Sequence, residues 1–198
     1  MNIKEKFLNK YFDEIATTSK LINLNKIDEI IKKIKFIKQN KGRIFFIGVG
    51  GSSANASHAV NDFRKICSIE CYNPLDNFSE ISARINDEGW ESSISEYLKT
   101  SNLGKNDALF FLSVGGGDIK KKISVNLINA LKYGKKRKSN IFAIVARKEG
   151  YIYKNNKLTI LIPIGDKKNI TPISESFQSV ILHAIVSDTR LQENKTKW

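Results

Sequence analysis

At 198 residues, 41% of them hydrophobic and 27% charged, the chain is long enough for one α/β domain with a substantial core, and no Pro/Gly/Ser-rich linker divides it. Its N-terminal stretch is charged throughout and no apolar run approaches the ~18 residues of a membrane span, so a soluble cytoplasmic protein without a membrane partner is expected. A net charge of +13 raises nucleic acid as a partner, but the lysines are spread widely, dense only at Lys120 to Lys122 and Lys135 to Lys138, with no interleaved aromatics; the expectation is a general pull on small anions and no nucleic acid.

Residues 3 to 20 and 24 to 39 carry apolar positions at helical spacing, including Ile27, Ile30, Ile31, Ile34 and Ile37, and Gly42 ends the second run. Residues 1–40 therefore read as a helical segment leading into a core over 41–198, the whole being a single domain. Apolar runs at Ile44 to Val49, Ala108 to Val114, Ile141 to Val145 and Leu158 to Pro163 read as strands, with a weaker fifth at Ile69 to Tyr72. Being apolar on both faces and separated by helical patterns at about 53 to 66, 91 to 101, 119 to 133 and 173 to 190, they predict a buried five-stranded parallel sheet. The fold class is α/β, a three-layer αβα sandwich with ligands at the carboxyl ends of the strands. Cys67 and Cys71, too few for a disulfide framework, read as small core residues.

Two of these strands end in glycines and hand over to a helical pattern: Ile44-Phe-Phe-Ile-Gly-Val-Gly50-Gly51-Ser52-Ser53, and Ala108-Leu-Phe-Phe-Leu-Ser113-Val-Gly115-Gly116-Gly117-Asp118. Such turns leave free backbone N–H groups at the positive end of a helix dipole, where phosphates bind. The first partly matches a dinucleotide fingerprint, with Glu70 as a candidate ribose acid, but Ser53 stands where the third glycine belongs. The second has no place in that motif, whereas a sugar phosphate can use both, so sugar-phosphate binding ranks above dinucleotide binding.

There are two histidines. His58 has Asp62 four residues on, so both project from one face of a helix. His183 follows Glu175 by eight residues in the last helical pattern. Taken singly, each histidine reads more readily as a core residue with one hydrogen bond, and nothing in the spacing brings the two helices together.

The run from Gly48 through Ser52, Ser53, Asn55 and His58 to Asp62 resembles the first loop and helix of the phosphoheptose isomerases, members of the sugar isomerase (SIS) domain superfamily, and the likeness continues through Asn86-Asp87-Glu88-Gly89, the Ser113 loop and Glu175 to His183. The resemblance implies a SIS domain whose N-terminal helices pack in a homotetramer with active sites at subunit interfaces. It implies an aldose–ketose isomerase that converts sedoheptulose 7-phosphate to D-glycero-D-manno-heptose 7-phosphate for bacterial surface polysaccharide such as lipopolysaccharide. Family members hold one zinc ion through a His and a Glu on the first helix and a Gln and a His on the last; those positions fall here on His58, Asp62, Glu175 and His183. Two histidines with carboxylates suit Zn²⁺ and leave Mn²⁺, Fe²⁺ or Ni²⁺ open. By the same likeness Asp62 is the expected base and His183 the acid. Gly50, Gly51, Ser52, Ser53, Asn55, Ser113, Gly115, Gly116, Gly117 and Asp118 are the expected substrate and phosphate contacts, with Asp87 near the sugar hydroxyls.

The chain departs from the family at three places. Asp62 replaces the usual Glu, and Glu175 replaces the usual Gln, which makes Glu175 a second candidate base. The family's Ser-Thr-Ser-Gly-Asn-Ser turn is here Ser113-Val-Gly-Gly-Gly-Asp118, with Asp118 expected to cap a helix from about Ile119 rather than touch the phosphate. The reading from a different class is a non-catalytic SIS protein that senses a sugar phosphate or works through protein contacts.

Overall fold

The structure is a computed structural model and describes residues 3–195. Helices α1 (Ile3–Leu21) and α2 (Leu24–Gln39) lead into β1 (Ile44–Ile47), followed by α3 (Gly51–Cys67), β2 (Cys71–Tyr72), α4 (Phe78–Glu88), α5 (Ser93–Thr100) and β3 (Ala108–Ser113). The chain continues through α6 (Val125–Lys136), β4 (Asn140–Val145), α7 (Tyr151–Asn155), β5 (Thr159–Leu161) and α8 (Ile170–Val186). All strand pairs are parallel, in the order β2-β1-β3-β4-β5. The direction of winding changes between β1 and β3, which opens a crevice at their carboxyl ends.

The strand residues are buried on both faces, as helices on either side require. Phe46, Phe110 and Phe142 pack with α2, α3 and α8, while Phe45, Leu109 and Phe111 pack with α5, α6 and α7. Each such side chain contributes roughly 1.5–3 kcal/mol of burial, so two apolar layers hold the sheet. At its amino end the register is clamped: Arg43 donates through Nη2 to Asp107 Oδ2 at 2.8 Å, and the Arg43 and Gly104 backbone N–H groups donate to the same carboxylate at 2.9 and 2.8 Å.

The expected αβα sandwich is the observed one, with several boundaries moved. No helix begins at 119: Asp118 and Ile123 instead pair as an antiparallel bridge closing a small loop, and α6 starts at Val125. Helix α4, whose sole buried residue is Ile81, and the five-residue α7 carry too little apolar periodicity to be read from sequence. The N-terminal helices differ from one another. Ile30, Ile31, Ile34 and Ile37 of α2 are buried in the protomer's own core, whereas Phe7, Leu8 and Phe12 of α1 are 58%, 51% and 64% exposed. Cys67 and Cys71 are free and buried, and burial pushes both thiols up, Cys67 to about 11, so neither is a reactive thiolate. Among the described residues no helix is long and apolar enough to cross a membrane.

Candidate active site on the α3–α8 seam

The first glycine turn fixes where α3 begins. Gly50 caps the helix at φ +64°, and a Cβ on Gly48 would run into the Ser52 carbonyl, so the turn closes only with glycine there. Ser52 is buried beneath it, and Ser53 Oγ accepts a bond from Asn73 Nδ2 at 3.4 Å. A Cβ on Gly51 would stand 2.5–2.7 Å from the Glu175 carboxylate. Glu175 therefore lies against the first turn of α3, where the helix dipole favours an anion.

From that point α3 and α8 run side by side. Asn55 stitches them, donating to the Glu175 carbonyl at 2.8 Å and to Gln178 Oε1 at 3.1 Å while its own Oδ1 accepts from Ser179 Oγ at 2.8 Å. Expected at the ligand, Asn55 instead spends its amide on the seam. About two turns on, His58, Asp62 and His183 converge. The two Nε2 atoms are 2.9 Å apart, and Asp62 Oδ2 lies 3.2 Å from His58 Nε2 and 3.4 Å from His183 Nε2. Asp62 is buried, its Oδ1 accepting from Asn61 at 3.0 Å, while both imidazoles are about half exposed.

A buried carboxylate facing two imidazole nitrogens is satisfied by an N–H from a ring or by a cation held between the three. The donor set fits a cation: ligand atoms around a tetrahedral zinc with bonds of about 2.1 Å stand roughly 3.4 Å apart, close to the three separations observed, and three protein ligands leave a position open. His58, Asp62 and His183 are the group of the described residues whose ligand atoms converge in this way. Glu175 is not among them. Eight residues along one helix place it about 12 Å from His183, and its carboxylate is turned to Gly51.

The second glycine turn is built differently. Ser113 Oγ accepts from the Gly116 N–H at 3.0 Å, and the carbonyls of Gly116 and Gly117, at φ +70° and +79°, cap the first N–H groups of α7. Asp118 does cap backbone, but of its own loop, its Oδ1 accepting from the Lys121 N–H at 3.1 Å. Asp87 lies exposed in the last turn of α4 and accepts from Asn86 at 2.7 Å.

Sequence reading missed the start of α6. Ser124 sits in the left-handed region at the N-cap with no capping bond, and the buried Asn126 places its Oδ1 on the Leu127 N–H at 2.9 Å while its Nδ2 has no partner. A Ser before the apolar run Val-Asn-Leu-Ile is an N-cap signature, so this boundary was open to detection.

No protein-family model matches the chain. In sequence it is 27% identical over 150 residues to the phosphoheptose isomerase of Buchnera aphidicola (subsp. Schizaphis graminum), a match covering 72% of this chain and 74% of that protein. It is 29% identical over 152 residues to a lincomycin biosynthesis protein of Streptomyces lincolnensis, covering 73% of this chain and 54% of that one. In fold it superposes on the phosphoheptose isomerase of Neisseria gonorrhoeae with a TM-score of 0.78 and 20% identity, over 93% of this chain and 98% of that one. Sequence and fold together make this chain a relative, at modest identity, of the phosphoheptose isomerases of the sugar isomerase superfamily.

Proposed function

We propose that this protein is an aldose–ketose isomerase acting on a sugar phosphate, interconverting sedoheptulose 7-phosphate and D-glycero-D-manno-heptose 7-phosphate. The observation that carries the reading is the convergence of His58, Asp62 and His183 on one seam, a constellation a binding module does not require. The relatedness to phosphoheptose isomerases supports the substrate class.

Isomerisation moves a proton from C1 to C2 and a second between the two oxygens, through an enediol. His183, half exposed like His58, carries the carbon-bound proton, and Asp62, buried behind both rings, orients its imidazole. His58, also in contact with Asp62, is placed to serve the oxygen-bound proton. A zinc ion held by His58, Asp62 and His183 would supply Lewis-acid stabilisation of the developing oxyanion when bound, taking up the Nε2 atoms that carry protons in the metal-free cluster. Glu175 and Ser53 border the α3 turn and face the sugar chain, with Ser52 buried beneath the turn. The phosphate rests against Ser113, the Gly115–Gly117 backbone and the N-terminus of α6 at Ser124, whose first-turn N–H groups suit an anion.

The exposed Phe7, Leu8 and Phe12 of α1 favour assembly, and a cytoplasmic homotetramer serving heptose supply for lipopolysaccharide fits this reading. The test is direct. The protein incubated with sedoheptulose 7-phosphate in D₂O, both metal-free and zinc-loaded, should yield the aldose, with deuterium at the exchanged carbon, by proton NMR. Neither aldose nor exchange would overturn the reading.

A further inference from the structure

The crevice that opens on Gly115 and Gly117 has another wall, formed by Ile164, Gly165, Lys167 and Ile170. This wall is the connection from β5 to α8, the helix that carries Glu175 and His183. Helix α1 grips it. Glu14 Oε1 accepts from the Asp166 N–H at 2.6 Å and Glu14 Oε2 from Asn169 Nδ2 at 2.8 Å, while Lys10, one turn earlier on α1, reaches Asp166 Oδ2 at 3.4 Å. Among the described residues, Lys10 and Glu14 are the side chains of another element that hydrogen-bond to residues 165–169. The α1 face that bears Glu14 is anchored in turn, since Tyr11 and Ile15 pack on the apolar core and Thr18 is buried.

We propose that Glu14 is a positioning residue for the sugar-phosphate site: from α1 it fixes this wall and the start of α8 and so sets substrate affinity, a role that rests on the crevice holding the sugar phosphate. Two N–H donors from different residues converge on Glu14, and a carboxylate offers an acceptor oxygen to each. Asn169 is the N-cap of α8, a position where asparagine commonly turns its Oδ1 on the first N–H groups of its own helix; here it makes no such bond and gives its Nδ2 to Glu14. A contact to a residue 155 positions away thus replaces a local cap, and it places the helix start relative to α1. Asp166, whose N–H is held by Glu14, caps the single 3₁₀ turn Lys167–Asn169 by accepting the Lys168 N–H at 3.0 Å. Lys167, which lines the crevice, therefore stands between two residues tied to the same carboxylate, and Ile170 directly follows the second.

Calorimetric titration with sedoheptulose 7-phosphate, run beside steady-state kinetics and melting curves, tests this. Glu14→Ala should weaken binding about five- to tenfold and raise KM to match, with kcat within about twofold of wild type; a merely structural role would lower the melting temperature without that split. Glu14→Gln keeps an acceptor for the Asp166 N–H and, with the Asn169 amide turned over, donates to its Oδ1, so it should bind within about twofold of wild type. Asn169→Ala removes one of the two bonds and no helix cap; it should weaken binding about threefold, and it decides the matter should Glu14→Ala fail to fold. Unchanged affinity in Glu14→Ala or Asn169→Ala, or a fall in kcat at constant KM, would overturn the role of Glu14. Wild type that binds the sugar phosphate without converting it would overturn the isomerase assignment alone, and the affinities of the variants would still decide the role of Glu14.

Discussion

The first glycine turn hands β1 straight to α3, whereas the second leaves seven residues, 118–124, between its glycines and α6. In the first, glycine is demanded by close approach: Gly48 against the Ser52 carbonyl and Gly51 against the Glu175 carboxylate. In the second, it is demanded mainly by backbone angle at Gly116 and Gly117, and Gly115 faces open space. The same sequence sign, a buried strand ending in glycines, thus produces a rigid helix start in one place and a loop with room around it in the other. The rigid turn positions the helix that carries His58 and Asp62; the roomy one offers space for ligand.

The largest expected effect lies on the seam between α8 and the helix that the rigid turn sets. His183→Gln should lower turnover by about 10² to 10⁴ while leaving sugar-phosphate binding nearly intact, because proton transfer is what it removes. Asp62→Asn should fall in the same range and Glu175→Gln well short of it. Steady-state kinetics on the three variants decide this, and an inactive Glu175→Gln beside an active Asp62→Asn would move the base to the α3 turn. Next in size is Gly48→Ala, which should cost about 3 kcal/mol in denaturant unfolding because backbone must shift. If Gly115→Ala costs as much, the contrast between the turns is wrong.

The frame common to both turns can be tested with acid. Burial alone would raise the Asp107 carboxyl, but hydrogen bonds from the Arg43 side chain and from the Arg43 and Gly104 backbone outweigh it and hold the carboxyl below its ordinary range. A carboxylate depressed in the folded state contributes stability that is full above its unfolded pKa of about 3.9 and lost as pH falls through the folded value. Asp107→Asn should therefore cost about 2 kcal/mol at pH 7 and flatten the loss of stability below about pH 4. Unfolding midpoints from pH 2 to 7 measure both. A loss confined to one turn's ligand contacts, without this stability change, would show that the turns do not share one frame.

The sheet was legible because Phe45, Phe46, Phe110 and Phe111 stand in runs that no half-exposed strand tolerates. The start of α6 could be read at Ser124, but the fate of 118–123 could not, since an Asp before an apolar residue suits an Asx-type turn as well as a helix cap, and only the Asp118–Ile123 pairing decides between them. At the site, His58 and Asp62 could be paired from helical periodicity. Their meeting with His183 depends on α3 packing alongside α8, which no local spacing reports; the family resemblance supplied it. The same resemblance sent Glu175 to the ion, whereas its carboxylate here lies against Gly51, outside the group formed by His58, Asp62 and His183.

The smallest expected effect concerns Asp118, the residue at which the two turns part. Its carboxylate is exposed to solvent on one side and holds the Lys121 N–H on the other. Asp118→Asn keeps that acceptor, so stability should change by less than about 0.5 kcal/mol, as for most exposed positions. What it removes is a negative charge beside the glycine loop. At 4 Å in water-like surroundings a unit charge repels another by about 1 kcal/mol, and less at longer range, so the affinity for an anionic ligand of this loop should rise about two- to fivefold. Asp118→Ala removes the charge and the acceptor together; it should gain less affinity than Asp118→Asn and lose about 0.5–1 kcal/mol of stability. Titrations of both variants with sugar phosphate, set beside their melting curves, separate the two roles. A fall in affinity for Asp118→Asn would mean that the carboxylate accepts a bond from the ligand, and the second turn would then resemble the first in gripping its ligand through a fixed side chain.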